Sequence, residues 1–260
     1  MLTPVEYPCA LSFHAVYIRS HTLISHLTKR NLQHELMDDP CLPQNQHNHA
    51  LRGLTRIHQF SGLVNRFWKP IRQHLALAQK SDSVVRIMDV GCGDAYLLRQ
   101  IGRKAKAAGL AVELVGADMS AVALTFAKQR AAKDGLDLQT QQVDILTEEL
   151  PPADIIINSL FLHHFTEDQI TAVLKKFKAA TKSLLIVEDL RRTTLGYVLC
   201  YVCGHLLTRS PIVHYDGMRS VEGALKITEL EELIKQADLD SAHVTRRWPE
   251  RFVIHWTPND

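Results

Sequence analysis

The chain has little of what marks a secreted or membrane-spanning protein. Its five cysteines (Cys9, Cys41, Cys92, Cys200 and Cys203) are odd in number and lack framework spacing, which argues against a disulfide scaffold and for a reducing, cytoplasmic compartment. The longest apolar run, Leu195 to Leu207, is broken by Gly196, Gly204 and His205. It falls short of the about 20 residues that a bilayer span requires, so a membrane role is limited to peripheral contact. Polar residues and histidines interrupt every apolar stretch before Arg30, so the N-terminus does not read as a secretory signal. An excess of one charge is also missing. With 30 Lys and Arg against 28 Asp and Glu the formal net charge is +2, too small to favour nucleic acid as a partner. There is no internal repeat and no low-complexity tract.

What is present reads as a globular α/β protein. The 260 residues are 46% hydrophobic and 22% charged, enough for one domain with a large core, or one domain plus an appendage. Residues 1 to about 80 are rich in His, Gln and Asn and carry helical spacing. Asp38-Asp39-Pro40-Cys41-Leu42-Pro43 reads as a linker or helix stop. Leu54, Ile57, Phe60, Leu63, Phe67 and Ile71 recur at helical intervals, which predicts two helices of an N-terminal cap, broken near Gly62 or Pro70. After Ser83 short apolar runs alternate with helical segments. Strands are expected at 84–90, 111–117, 138–143, 154–158 and 183–187, with helices at 96–108 and 121–133. Two capping boxes, Thr166 to Gln169 and Thr228 to Glu231, each announce a further helix. Segments 243–247 and 252–256 close the chain as a strand pair. The alternation predicts a doubly wound, mostly parallel seven-stranded sheet with an antiparallel edge hairpin, spanning residues 81–260. A buried insertion helix is expected within about 191–220.

The chemistry starts at Asp89-Val90-Gly91-Cys92-Gly93-Asp94-Ala95, between the first strand and the first helix of that domain. Glycines there allow a tight turn and a close backbone approach to a ligand at a helix N-terminus. Tyr96 occupies the place where a dinucleotide fingerprint has its third glycine, which argues against NAD. Asp118 ends the second strand, where a carboxylate can accept hydrogen bonds from vicinal ribose hydroxyls. Asp144-Ile145 ends the third, where the acid can take an adenine amino group and the isoleucine can pack on the ring. Acids at consecutive strand ends, with no provision for phosphates, describe a nucleoside site.

Asp89-Val90-Gly91-Cys92-Gly93, Gly116-Ala117-Asp118-Met119-Ser120, Asp144-Ile145 and the segment from Asp154 to Phe165 resemble the ordered motifs of class I S-adenosylmethionine-dependent methyltransferases. The resemblance covers roughly residues 84 to 257 and implies a Rossmann-like fold with S-adenosylmethionine as cofactor. It assigns the methionine end of the cofactor to Gly91 and Gly93, the ribose to Asp118 and the adenine to Asp144. Asp89, Met119, Ile145, Asn158 and Ser159 belong to the same cofactor-binding set. Ala95 departs from the pattern, since many members have a third glycine there, but alanine is commonly accepted.

The pair His163-His164 after the fourth strand resembles the small-molecule branch, including the quinone-biosynthesis type. The Asn-Pro-Pro-Tyr style motif of amino-group methyltransferases is absent, which disfavours DNA or glutamine targets. Either histidine is a candidate base for a phenol or enol; the alternative is a structural role, capping the next helix or packing beneath the cofactor. Asp189 and His214 are further candidate bases, and Arg191 a candidate anion partner. The apolar segment from Leu195 to Cys203 lies where this family builds substrate pockets. It points to an apolar aromatic acceptor, a polyketide, phenolic lipid or quinone precursor, methylated on oxygen. Methylation of ring carbon, and a catalytically silent cofactor-binding partner protein, are the alternatives. Cys200-Tyr201-Val202-Cys203 lacks a second ligand pair, and His47 and His49 lack partners, so no metal is expected. Glu35 to Pro40, with Leu51 to Leu54 and Ser61-Gly62, is similar to the cap of bacterial secondary-metabolism methyltransferases, some linked to type III polyketide synthases. That likeness suggests that Arg56, Ser61 or Trp68 closes over the cofactor.

Overall fold

The computed structural model describes residues 27–39, 42–78 and 84–258. Val85–Val90 (β1), Val112–Asp118 (β2), Gln139–Gln142 (β3), Ala153–Ser159 (β4) and Thr181–Leu190 (β5) are parallel, while His243–Arg247 (β6) and Arg251–Trp256 (β7) add an antiparallel edge. The strand order is β3-β2-β1-β4-β5-β7-β6, the doubly wound, seven-stranded arrangement the sequence predicts. The chain winds from β1 out to β3, then returns past β1 to β4 and winds the other way. In open sheets of this kind ligands bind outside the carboxyl ends of the strands, where the winding reverses.

Helices cover both faces because the strands are apolar on both. Ile155 and Ile157 of β4 join a cluster with Gln44–Ser61 (α1) excluded and Leu63–Ala78 (α2), Tyr96–Ala107 (α3) and Ala121–Lys133 (α4) included. Ile156, on the opposite face, packs with Glu167–Ala180 (α5) and Ile227–Gln236 (α8). All three isoleucines are fully buried, each contributing about 1.5–3 kcal/mol of hydrophobic stabilisation. The helix break in the N-terminal region falls at Gly62, whose φ of 71° ends α1 in a left-handed cap. Pro70 lies inside α2 without ending it. Leu63, Phe67, Ile71 and Leu75 are at most 2% exposed, and this buried row holds the helix against the sheet layer. α2 is thus a core helix, whereas α1 packs with Thr194–Leu207 (α6) and Pro211–Gly223 (α7) above the strand ends.

Several boundaries differ from the sequence-based expectation. β5 continues beyond Val187 through Glu188, Asp189 and Leu190, because each of them pairs with β7; hydrophobicity stops there but strand pairing does not. α8 begins at Ile227, with Glu229 accepting the Lys226 N–H at 2.8 Å, so Thr228 sits inside the helix. The insertion forms two helices, α6 and α7, and α6 is not buried. Only its Gly196 and Gly204 are buried, while Leu195, Val198, Tyr201, Val202 and Leu206 are 43–78% exposed. The contact is narrow because small residues bring the helices together: a Cβ on Gly217 of α7 would lie 2.7 Å from the Cys200 sulfur. Among the described residues, no helix is long and apolar enough to cross a membrane.

Candidate active site

The glycine turn after β1 is fixed by the next strand. Gly91 and Cys92 both donate their N–H to the Ala117 carbonyl, at 2.8 and 3.1 Å. Gly91 and Gly93 adopt φ of 67° and 52°, conformations that side chains disfavour. A Cβ at Gly91 would fall 2.5 Å from the Phe161 ring, whereas one at Gly93 would meet nothing within 4 Å. The turn is therefore closed on one side by an aromatic ring and open on the other. Asp118, at the end of β2, accepts the Gly93 N–H at 2.8 Å and the Ser120 N–H at 2.9 Å. Asp89 is buried at 3% exposure, and burial, with the negative charges of Asp118 and Asp94, pushes its carboxyl well above the usual range. Asp94 is salt-bridged to Arg130. Nearby, Asn158 donates to the Val90 carbonyl at 2.7 Å, while its buried Oδ1 has no hydrogen-bond partner. Three acids and an orphaned acceptor favour a ligand rich in donors and positive charge.

The other expected cofactor residues are placed differently. Asp144 accepts from Leu146 N–H and Thr147 Oγ1, each at 3.0 Å, so it organises its own loop. Ile145 is 5% exposed within the core cluster, which takes it away from the surface where a ring would stack. Met119 and Leu146, 70% and 38% exposed, are the accessible apolar groups there. Ser159 is half-buried at the end of β4. The following Leu160 has φ 55° and donates to the Glu188 carbonyl at 2.9 Å, a left-handed residue at the switch between strands.

The histidine pair divides. His163 is buried in the short turn Leu162–His164, with Nδ1 2.7 Å from Asp189 and Nε2 3.4 Å from Glu35. Burial alone would lower its pKa, but the charges and hydrogen bonds of Asp189 and Glu35 outweigh burial and raise it to about 10. His163 is consequently an imidazolium at neutral pH, with no lone pair to take a proton. Asp189 is equally committed: it also accepts the N–H groups of Phe161, His163 and Leu190. These contacts correct the expectation that His163 or Asp189 serves as a base. His164 is exposed, its ring 4.3 Å from that of His163. Glu35, His163 and His164 bring candidate ligand atoms within 4.8 Å of one another, but His163 is already bound between two carboxylates. His214 donates from Nε2 to the Thr208 carbonyl at 2.9 Å and its ring stacks on His205, which fixes its orientation and leaves Nδ1 as the acceptor nitrogen.

Two features of the site were not foreseen. Residues 27–39 form a strap over the strand ends. Arg30 donates to the Gly223 and Leu162 carbonyls at 2.6 and 3.2 Å, and Asp216 accepts the Leu36 N–H at 2.7 Å. Ser220 donates to Glu35, fixing the carboxylate that faces His163. Further along the sheet, Glu188 is completely buried and is gripped by both donors of Arg66, at 2.5 and 2.6 Å, with Arg251 3.6 Å away. Neither partnership was legible, since Arg66 and Glu188 lie 122 positions apart. His58 of α1 faces the Tyr96 ring at 5.7 Å; burial and the Arg251 charge push it down to about 3. Of the residues expected to close over the site, Arg56 only grazes the Leu207 carbonyl at 3.5 Å, Ser61 binds the His58 carbonyl, and Trp68 packs on the core. Arg191 pairs with Glu250 at 3.2 Å.

Residues 87–183 match the family model described as a methyltransferase domain, the span that contains the glycine turn, Asp118, Asp144 and the histidine pair. That span is a methyltransferase domain, in keeping with the motifs that resemble the S-adenosylmethionine-dependent class. It is similar to a ubiquinone biosynthesis O-methyltransferase of Brucella ovis, 25% identical over 158 residues, covering 60% of this chain and 60% of that protein. The match thus spans three fifths of the length of that relative. An indolepyruvate C-methyltransferase of Streptomyces griseus is 31% identical over 100 residues, covering 36% of this chain and 29% of that protein. The fold is that of the S-adenosylmethionine-dependent methyltransferase SibL in its apo form, with a TM-score of 0.57, 20% identity, and coverage of 91% of this chain and 68% of that one.

The cofactor of such a domain is S-adenosylmethionine, and the residues of this methyltransferase domain fit it. The open side of Gly93 gives the backbone approach, and an incoming positive charge would offset the crowding of Asp89 by Asp118 and Asp94. The orphaned Asn158 Oδ1 is an acceptor awaiting a donor. Each Asp118 oxygen has already accepted one N–H and retains a lone pair for a ribose hydroxyl.

Proposed function

We propose that this protein transfers a methyl group to an oxygen of a small apolar aromatic acceptor. The observation that carries the reading is the joint geometry of Gly91, Gly93 and Asp118, a ligand-ready turn whose second glycine is held by the acid of the neighbouring strand. When bound, S-adenosylmethionine supplies an electrophilic methyl group on a sulfonium. Asp118 then takes the ribose, Gly91 and Gly93 the methionine backbone, and Asn158 Oδ1 a donor of the same part. Asp144 and the exposed Met119 take the adenine end. α1 reaches this half of the sheet through His58, whose ring lies 5.7 Å from that of Tyr96, while the strap covers the side of Leu162 and α7.

His163 contributes by position. Clamped between Glu35 and Asp189, it fixes the segment from Leu160 to Phe165 across the glycine turn, where Phe161 offers an aromatic surface to a flat acceptor. The names of the relatives, a ubiquinone biosynthesis enzyme and an indolepyruvate enzyme, support ring-bearing acceptors, and phenolic, quinone-precursor and polyketide compounds are the class to screen first. Transfer to carbon of such a ring is the second reading, supported by the C-methyltransferase among those relatives. The free thiols Cys92, Cys200 and Cys203 suit a reducing, cytoplasmic setting.

Calorimetry with S-adenosylmethionine tests the reading. Wild type is expected to bind in the micromolar range and Asp118→Ala about 100-fold more weakly, from two lost hydrogen bonds to a charged acceptor. Equal affinity of the two proteins would show that Asp118 is not the ribose residue, and no binding by either would overturn the assignment.

A further inference from the structure

We propose that Arg251 is the recognition group for an anionic oxygen on the acceptor, so that the substrate is an aromatic carboxylate or phenolate rather than a neutral ring. The inference rests on the methyltransferase reading above and names the chemistry of its second substrate.

Arg251 opens β7 opposite Leu190, the last residue of β5, and so lies at the carboxyl end of the parallel strands. It is 5% exposed, yet its Nε and Nη1 have no hydrogen-bond partner. The nearest carboxylate cannot satisfy it: both oxygens of Glu188 are occupied by Arg66, leaving Arg251 a loose 3.6 Å ion pair. Asp189 also acts on Arg251 through its charge, but His163 and backbone N–H groups fill its oxygens. Two guanidiniums therefore share one carboxylate in a buried place. Unmet donors on a buried cation are costly and are relieved by an incoming anion.

Strand order indicates which anion. The cofactor residues sit on β1, β2, the loop after β3 and the β1-facing strand β4, whereas Arg251 is beyond β5 on β7. The carboxylate of the cofactor belongs beside Gly91 and Gly93, and the group at Arg251 belongs to the acceptor. His58, a neutral imidazole within reach of this charge, and α6, whose Cys200 also feels it, flank a site in which Arg251 is the cation with unmet donors.

The test measures binding to the complex with S-adenosylhomocysteine, using matched probes. A 3,4-dihydroxybenzoate is compared with its methyl ester for the carboxylate source, and 4-nitrophenol with 4-nitroanisole for the phenolate source. Wild type is expected to bind the anionic member of one pair at least about tenfold more tightly, and the pair that responds identifies the source. Arg251→Gln should abolish that preference, and Arg251→Lys restore part of it, with S-adenosylhomocysteine affinity unchanged in both. The wild-type comparison needs no variant to fold. The proposal is overturned if neither pair shows a preference, if Arg251→Gln keeps it, or if Arg251→Gln weakens S-adenosylhomocysteine itself, which would assign the arginine to the cofactor. Failure of wild type to bind S-adenosylhomocysteine would instead remove the methyltransferase reading, and this inference with it.

Discussion

Replacing His163 by glutamine should make the protein less stable at neutral pH and remove a specific alkaline sensitivity. His163 titrates at 6.5 when unperturbed and at about 10 in the fold, where Asp189 and Glu35 overcome the cost of burial. The folded state therefore holds a proton that the unfolded chain releases. This stabilisation is complete below about pH 6.5 and is lost as pH rises through the folded value. Each unit inside that interval costs about 1.4 kcal/mol. Between about pH 7 and 9.5 the wild type should lose roughly 3 kcal/mol relative to His163→Gln. At neutral pH the variant should be less stable by about 3–5 kcal/mol, because two buried carboxylates are left without their cation. Urea melts of both proteins across this pH range provide the measurement, and subtraction cancels the lysines, tyrosines and thiols they share. A difference that stays flat with pH would show that His163 is neutral in the fold and would return it to the list of candidate bases.

Other perturbations probe the turn and the core. Gly91→Ala should abolish cofactor binding and cost about 2–4 kcal/mol, combining a left-handed backbone with a Cβ driven into the Phe161 ring; paired calorimetry and thermal melts would detect both losses, and a fully stable, binding-competent variant would contradict the geometry. Phe67→Ala, in the buried row of α2, should cost about 3–5 kcal/mol, while Phe60→Ala, 77% exposed on α1, should stay within about 0.5 kcal/mol. Equal effects in denaturant melts would mean that α2 is not a core helix.

The parts of the fold that follow from local patterning were legible. The apolar runs of β1, β2 and β4, the Thr166 capping box and the glycine turn each depend on residues within one segment, and all appear where expected. What failed depended on partners far along the chain. The end of β5 is polar, so only its pairing with β7 reveals that Glu188 and Asp189 are strand residues. Whether His163 is a base or a structural residue was open because its sequence neighbours say nothing of Glu35, 128 positions earlier, or of Asp189. α6 read as buried because it is apolar, but two glycines and a neighbouring helix determine how little of it is covered. Ile145 read as a ring-stacking residue because it follows an acid at a strand end; its side chain instead points into the core.

The strap also has a consequence for how the protein is made. Arg30 emerges from the ribosome 193 residues before Gly223, whose carbonyl it binds, and 132 before Leu162. Until α7 has been synthesised, Glu35 can face His163 but lacks Ser220, and Asp216 is not there to receive Leu36. The parallel strands β1 to β5 all lie between the strap and α7 in sequence, so the strap's contacts to α7 wait for the last third of the chain. Closure of the site is therefore a late event of biosynthesis, dominated by contacts between segments most distant in sequence, and such contacts form slowly.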